Sequence, residues 1–370
     1  MRMKEKFFTK FLIGFSALFL GAVISTPQTA KAQVVTPDEG SAGIYEAFEN
    51  DGVAELQSGE TYYLPRLTIE SNQTIIATGA TIYTSGPSVK HFPNSGNYDS
   101  AVNIKIIGGN WLSTSSGSGG RAFSAFQFAH CNGITLKDMY INNTPANSHA
   151  IEIIGCKNVT IDGCTVKAIG SPSSSTSVEE GIQFDIATHA TAPNVFYTSS
   201  NSLANGHTCQ NVKINNCKVS GFGRGICANF TETESRKWVS NYHKNFTVTN
   251  CEISSKTAEA LALLNVVGIK VNNNKLTSTA KKSRYYYASG LHIASYGKNK
   301  SGLSSAKYIV SKNTIKGTNY AIHVDCDGKG KINKLTIKNN ILTSKTNKDN
   351  PIRTLAVKKV VDKNNTITGK

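Results

Sequence analysis

Glu152, Glu180 and Asp185 are the residues with which this chain of 370 could do chemistry. They lie in two short stretches, His149-Ala150-Ile151-Glu152-Ile153 and Glu179-Glu180-Gly181-Ile182-Gln183-Phe184-Asp185. Each stretch alternates apolar and polar residues, the period of a half-buried strand. Ile151 and Ile153 face one side and Glu152 the other. Ile182 and Phe184 face one side, and Gln183 and Asp185 the other. If the two strands are neighbours offset by two residues, the Glu152 and Asp185 Cα atoms stand about 8 Å apart. Their carboxyls are then expected at roughly 5–9 Å, which spans both the retaining and the inverting arrangements of glycoside hydrolysis. Glu152 and Asp185 are the expected acid and base or nucleophile, with Glu180 in reserve. A neighbouring carboxylate raises the pKa of whichever group acts as the acid. His149 and Arg224 are placed to orient the pair or to hold a substrate carboxylate. Solvated polar ladders on outward strand faces compete with this reading.

The strands that position these residues belong to a repeat. Asn-x-Val-x-Ile-x-Asn-x-x-Val recurs with variations from Asn103, Gly133, Asn158, Asn211, Asn245, Gly268, Lys307, Lys334 and Lys359. The shortest spacings are in the twenties, and the longer ones read as the same unit with inserted loops. A period in the twenties built of strands means a solenoid, in which each coil buries its apolar face only by stacking on the next. The fixed leucine ladder of leucine-rich repeats is missing. The β-branched strands and Asn and Gly turns instead predict a right-handed, single-stranded parallel β-helix over residues 101–370, an all-β solenoid. Residues 33–100 read as an N-terminal cap with the first coils, and Gly40 to Asn50 as a short capping helix.

Alignment of the repeats gives a second strand upstream of each motif. Its outward column runs Gln127, Glu152, Gln183, Cys227, Ala262, His292 and His323. A second column runs Ala129, Ile154, Asp185, Asn229, Leu264, Ala294 and Asp325, and a third Ser124, His149, Glu180, Arg224, Glu259, Ser289 and Tyr320. His149, Glu152, Glu180, Gln183, Asp185, Arg224 and Asn229 thus fall in one patch. His292 and His323 extend it as contacts for a long substrate. Asp325 and Asp327 beside Lys329 read as a solvated turn, with a second acidic cluster or a calcium site as the alternative. Insertions flank the patch and carry Phe196, Tyr197, Trp238, Tyr242, Tyr285, Tyr286, Tyr287 and Tyr296. Aromatic faces stack on sugar rings, and loops on a regular scaffold are where function usually sits. Trp238 and Tyr242 are therefore expected to wall a groove that binds substrate.

Coils of this kind resemble the pectate-lyase-like β-helix superfamily of secreted polysaccharide-acting proteins, over roughly residues 100–370. The resemblance implies a groove enzyme acting on polysaccharide. The polygalacturonase signatures Asn-x-Asp, Asp-Asp, Gly-His-Gly and Arg-x-Lys are each incomplete here. Gly206-His207-Thr208 lies in an insertion, and Arg353-Thr354-Leu355 lacks the lysine. Similarity to pectate lyases implies an acidic calcium cluster with an Arg or Lys base, a role that Arg224 would take. A glycoside hydrolase is the first expectation, a uronate lyase the second, and a non-catalytic glycan-binding or adhesive module the third.

The remaining features bound the setting. Residues 1–32 have a basic start, an apolar run from Phe11 to Ile24 and an Ala30-Lys31-Ala32 cleavage pattern, the order of a secretory signal peptide. Export to the extracellular space is expected, with no membrane span after cleavage and a monomeric protein. The chain carries a formal net charge of +16. From Lys281 to Lys370 there are 17 lysines and 2 arginines against 4 aspartates and no glutamate. Such a surface attracts acidic polymers. No recognition motif points to nucleic acid. The 8 cysteines follow the repeat, with Cys131, Cys156 and Cys209 in one column and Cys164, Cys217 and Cys251 in another. They read as buried thiol ladders. No metal cluster and no cofactor are expected for a hydrolase, and calcium only for a lyase.

Overall fold

The computed structural model describes residues 32–84, 88–113, 124–143, 149–196, 202–230, 241–281, 287–296, 305–326, 331–355 and 357–369. The expected leader, Tyr197, Trp238, Tyr285, Tyr286, Asp327 and Lys329 lie outside the described residues.

The chain winds into three parallel sheets of 12, 11 and 10 strands, each joining one strand per coil. One coil shows the plan. Cys131–Lys137 adds to the first sheet, Tyr140–Asn143 to the second and Ile151–Ile154 to the third. Lys157–Asp162 then returns to the first. Parallel crossovers of L-residue chains are right-handed, which sets the hand of the coil. The expected parallel β-helix is the observed architecture. The helix Gly40–Asn50 buries Gly43, Ile44, Ala47 and Phe48 against the first coils. The end coil is thereby spared an exposed apolar face.

The residue that opens the first six repeats has a conformational reason to be Asn or Gly. Asn103, Asn158, Asn211 and Asn245 have φ between 54° and 58°, and Gly133 and Gly268 have 89° and 83°. This left-handed region is strained for most L-residues and open to Gly and, less so, to Asn. The asparagines also join in a ladder. Asn158 Nδ2 donates to Asn132 Oδ1 at 2.7 Å, Asn211 Nδ2 to Asn158 Oδ1 at 3.0 Å, and Asn245 Nδ2 to Asn211 Oδ1 at 3.0 Å. A second left-handed corner follows each first-sheet strand at Asp138, Gly163, Asn216, Asn250, Asn273, Lys312, Asn339 and Asn364.

Inside that corner runs a buried column of Cys164, Cys217, Cys251, Asn274, Asn313 and Asn340, continued by Asn365. The backbone N–H of each member after Cys164 donates to the next side chain, first to a sulfur and then to amide oxygens at 2.8–2.9 Å. All eight cysteines are free thiols.

The three sheets differ on their outer faces. The first two alternate buried inward residues with half-buried or exposed outward ones, as in Glu252–Ser255 and Gln210–Asn215. The third is buried on both faces from Phe126–Ala129 through Leu291–Ser295. Its outward residues are shielded from solvent. One outer apolar cluster, Ala129, Ile154, Ala187, Ala192, Phe196 and Ala204, packs under the stretch that contains the short helix Pro193–Phe196. A second, Cys227, Ala262, Leu264 and Ala294, packs against Phe230 and Tyr296. A polar strip continues along the same face.

Candidate active site

The register of the third sheet brings the expected columns together. Gln127 pairs with Glu152, Glu152 with Gln183, Gln183 with Cys227, Cys227 with Ala262, Ala262 with His292, and His292 with His323. Ile154 pairs with Asp185 and Glu180 with Arg224.

The first centre is Glu152 with Asp185 and His149. One polar side-chain atom of each lies within 4.8 Å of the other two. The carboxylates are thus at the short end of the expected separation. Glu152 accepts from Ser124 Oγ at 2.7 Å and from Gln127 Nε2 at 2.5 Å. Gln183 Nε2 donates to Asp185 Oδ1 at 2.9 Å. Asp185 Oδ2 and Gln183 Oε1 are buried without a hydrogen-bond partner. A proton on Asp185 removes the charge from such a buried, unpaired oxygen. Burial, then the Glu152 charge, pushes the Asp185 pKa well above the usual carboxylate range, with His149 acting against them. Gln183 therefore holds Asp185 in place instead of reaching outward to a ligand.

His149 Nδ1 stands 3.1 Å from Glu180 Oε2, an ion-pair contact without hydrogen-bond alignment. Burial opposes its charge. The Glu180 contact and the charges of Glu152 and Asp185 outweigh burial and raise its pKa to about 9.

Glu180 is not a third member of the carboxylate centre. Its Oε1 accepts from Arg224 Nη1 at 2.8 Å, and Arg224 Nε donates to Glu259 Oε2 at 2.8 Å. Glu259 Oε1 faces His292 Nδ1 at 2.8 Å, and His292 Nε2 faces Asp325 Oδ1 at 3.0 Å. The sequence of alternating charge crosses five successive coils inside the covered face. Burial opposes ionisation of Glu259, but Arg224 and His292 hold its pKa down at about 2. Burial opposes the charge on His292, and Asp325 with Glu259 raises its pKa to about 9. His323 is pushed down to about 4 by burial and by the His292 charge.

Several expectations are corrected by this placement. Arg224 is 5% exposed and fixed between two carboxylates, so it is no free base for an elimination. His292 and His323 are buried in an ion cluster and do not face a groove. Asp325 is a strand residue, itself buried, and not a solvated turn. Tyr242 does not wall a groove: it is buried in the main core, and its hydroxyl donates to Tyr296 O at 2.6 Å. Phe196 is likewise internal. Asn229 sits half-buried at a corner, where its Oδ1 accepts from Phe230 N at 3.0 Å and its carbonyl faces His243 Nε2. His207 of the Gly-His-Thr stretch stacks on Tyr98 at 4.2 Å.

Lys90 was not singled out from the sequence. It pairs with Gln127 at the head of the outward column and is buried. Burial lowers its pKa to about 8, against the attraction of Glu152 and with the repulsion of Arg66. The irregular spacing of the first coils hides it, whereas Glu259 is visible in the third column two coils beyond Glu180. A continuation of the outward column by one coil toward the N-terminus is the signal that finds Lys90.

No family model and no curated protein sequence matches the chain. Solved structures do. PfbA, a surface adhesin of Streptococcus pneumoniae, superposes with a TM-score of 0.59 at 15% identity, covering 91% of this chain and 93% of that one. A polygalacturonase from Erwinia carotovora covers 94% of this chain and 96% of its own at 13% identity, with a TM-score of 0.45. An alginate lyase from Paenibacillus scores 0.43 at 13% identity, covering 88% and 98%. Together with the three continuous parallel sheets, the likeness to PfbA shows the fold alone, a parallel β-helix.

Proposed function

We propose that this protein is a polysaccharide-degrading glycoside hydrolase in which Asp185 is the general acid and Glu152 the nucleophile. The observation that carries this reading is the Glu152–Asp185 pair: two buried carboxyls from adjacent coils with oxygens within 4.8 Å, one of them pushed toward its protonated form. A proton on Asp185 serves the leaving-group oxygen. Glu152, held by Ser124 and Gln127, is aimed by two donors. Oxygens within 4.8 Å of each other put the pair on the close side, toward the roughly 5 Å of retaining enzymes and away from the wider gap that admits a water for inversion. His149 balances the charge of the pair, and Gln183 fixes the rotamer of Asp185.

Because Asp185 is fully buried and Glu152 5% exposed, a sugar reaches the pair only by displacing part of the cover on this sheet. That burial favours a second reading, a non-catalytic glycan-binding module whose internal carboxylates are structural. An elimination reading loses Arg224 and passes to Lys90, a buried amine beside Glu152 with a pKa of about 8. Incubation with neutral and acidic polysaccharides, following reducing ends and ultraviolet absorbance with and without chelator, separates the three. Reducing ends alone support hydrolysis. Absorbance rising with them assigns elimination, with Lys90→Ala the variant that abolishes it. Binding without turnover, retained in Glu152→Gln, assigns the module.

A further inference from the structure

Three to five coils beyond the carboxylate pair, the same covered face gathers a different set of ligand atoms. His292 and His323 are register neighbours, their ring centroids 5.3 Å apart at 82°. Asp325 lies two residues beyond His323 on the same face of its strand. Its Oδ1 is 3.0 Å from His292 Nε2, and its Oδ2 is 3.8 Å from His323 Nε2. One ligand atom from each of the three lies within 4.8 Å of the other two. A tetrahedral site with bonds of about 2.0–2.1 Å has ligand–ligand edges of roughly 3.3 Å, and the 3.0 Å between His292 Nε2 and Asp325 Oδ1 is of the right order for one such edge. The fourth participant is Glu259, whose Oε1 faces His292 Nδ1 at 2.8 Å. A metal-binding histidine characteristically gives its second nitrogen to a carboxylate, which fixes the tautomer and aims the ring. Glu259 is in turn held by Arg224.

We propose that His292, His323 and Asp325 bind a divalent transition-metal ion of the zinc class, with Glu259 as the carboxylate that orients His292. Two imidazoles and one carboxylate select this class over calcium or magnesium, which take oxygen ligands. Three protein ligands leave a coordination position open. Binding replaces the proton shared by His292 Nε2 and Asp325 Oδ1 with the metal, while the Nδ1–H stays on Glu259. Arg353, the register neighbour of His323 on the next coil, is the opposing charge. Its guanidinium carbon stands over the Tyr320 ring at 5.7 Å, so that its charge is partly met by an aromatic face. The site joins the coils of Glu259, His292 and Asp325 and is independent of the hydrolase reading.

Purified protein, stripped with chelator and dialysed, is titrated with Zn2+ by calorimetry and with Co2+ by visible absorption. The expected result is one ion per chain, with the cobalt spectrum of a low-coordinate nitrogen and oxygen site. Glu259→Gln weakens affinity by about 10–100-fold, and Asp325→Asn and His323→Ala by more. Thermal melts identify variants that have not folded. If His323→Ala is one of them, Asp325→Asn, which keeps an acceptor for His292, carries the test. No saturable binding of Zn2+ overturns the proposal. So does binding that survives Asp325→Asn and is abolished by Asp185→Asn, which places the ion at the carboxylate pair instead.

Discussion

At the scale of single residues, Asp185 concentrates the account. A carboxyl whose folded pKa lies above its unfolded value stabilises the fold only while protonated. That contribution is fully present below the unfolded pKa and is lost as pH rises through the folded one. At neutral pH the cost of ionising Asp185 is therefore borne by the fold. Asp185→Asn removes the buried charge while keeping an oxygen to accept from Gln183 Nε2. Catalysis and stability should separate: the variant is expected to melt at higher temperature at pH 7 and to lose roughly 10²–10⁴-fold in turnover. Calorimetry beside a turnover assay checks both, and a lower melting temperature would show that Asp185 is not strained by its burial. The wild type is expected to lose activity on the alkaline side as Asp185 ionises. His149 works the same way on stability, since its folded pKa of about 9 exceeds its ordinary 6.5. Its contribution is complete below about 6.5 and gone above about 9. His149→Ala should therefore melt below wild type in the acid range and converge with it in the alkaline range.

At the scale of elements, the covered face of the third sheet is held by its line of alternating charges. Arg224 neutralises two buried carboxylates at once. Its removal leaves Glu180 with His149 and Glu259 with His292 alone, and breaking a buried pair costs up to about 3–5 kcal/mol. Arg224→Ala should lower denaturant stability by that order, and Arg224→Ala combined with Glu180→Gln and Glu259→Gln should recover much of it. The asparagine ladder gives a second, separable prediction. Asn211 makes two ladder bonds from a left-handed backbone. Asn211→Ala loses both and is strained, a cost of about 1–3 kcal/mol. Asn211→Gly keeps the backbone geometry and should cost less, which chemical denaturation of both variants measures.

These elements also show what was legible in the sequence. The positions that open the first six repeats are readable because a left-handed corner favours Asn or Gly, and one register follows for every coil. From that register came the columns of Glu152, Gln183, His292 and His323, all as observed. The cover was not legible. Whether an outward residue meets water depends on where insertions fold back, which no strand periodicity encodes. Tyr242 and Phe196 were therefore expected to be groove walls and are core. Arg224 was expected to be free and is fixed, because its partner Glu259 comes from the next coil and the pairing needs side-chain geometry. Asp325 reads as a turn residue in the sequence because the strand Ile322–Cys326 outlasts its apolar residues.

At the scale of the whole molecule, the solenoid separates its tasks. Two sheets present polar outer faces, and one keeps a covered strip that runs from Lys90 to the Asp325 cluster. Among the described residues, no helix is long and apolar enough to cross a membrane. The basic segment from Lys281 onward includes the last first-sheet strand, on which Lys358, Lys359 and Lys363 are exposed. If this end meets an acidic polymer, association must weaken with ionic strength as the Debye length shortens. A binding series from low to high salt, with neutral polymer as control, should show that slope only for the acidic one.

The central claim is that Glu152 and Asp185 break a glycosidic bond. The most direct test is turnover on the first polysaccharide of the panel that yields reducing ends, compared among wild type, Glu152→Gln and Asp185→Asn at matched folding. Loss of turnover by at least two orders of magnitude in both variants, without ultraviolet-absorbing product, is the predicted result. Turnover retained in both folded variants would contradict the account and return the pair to a structural role within the covered sheet.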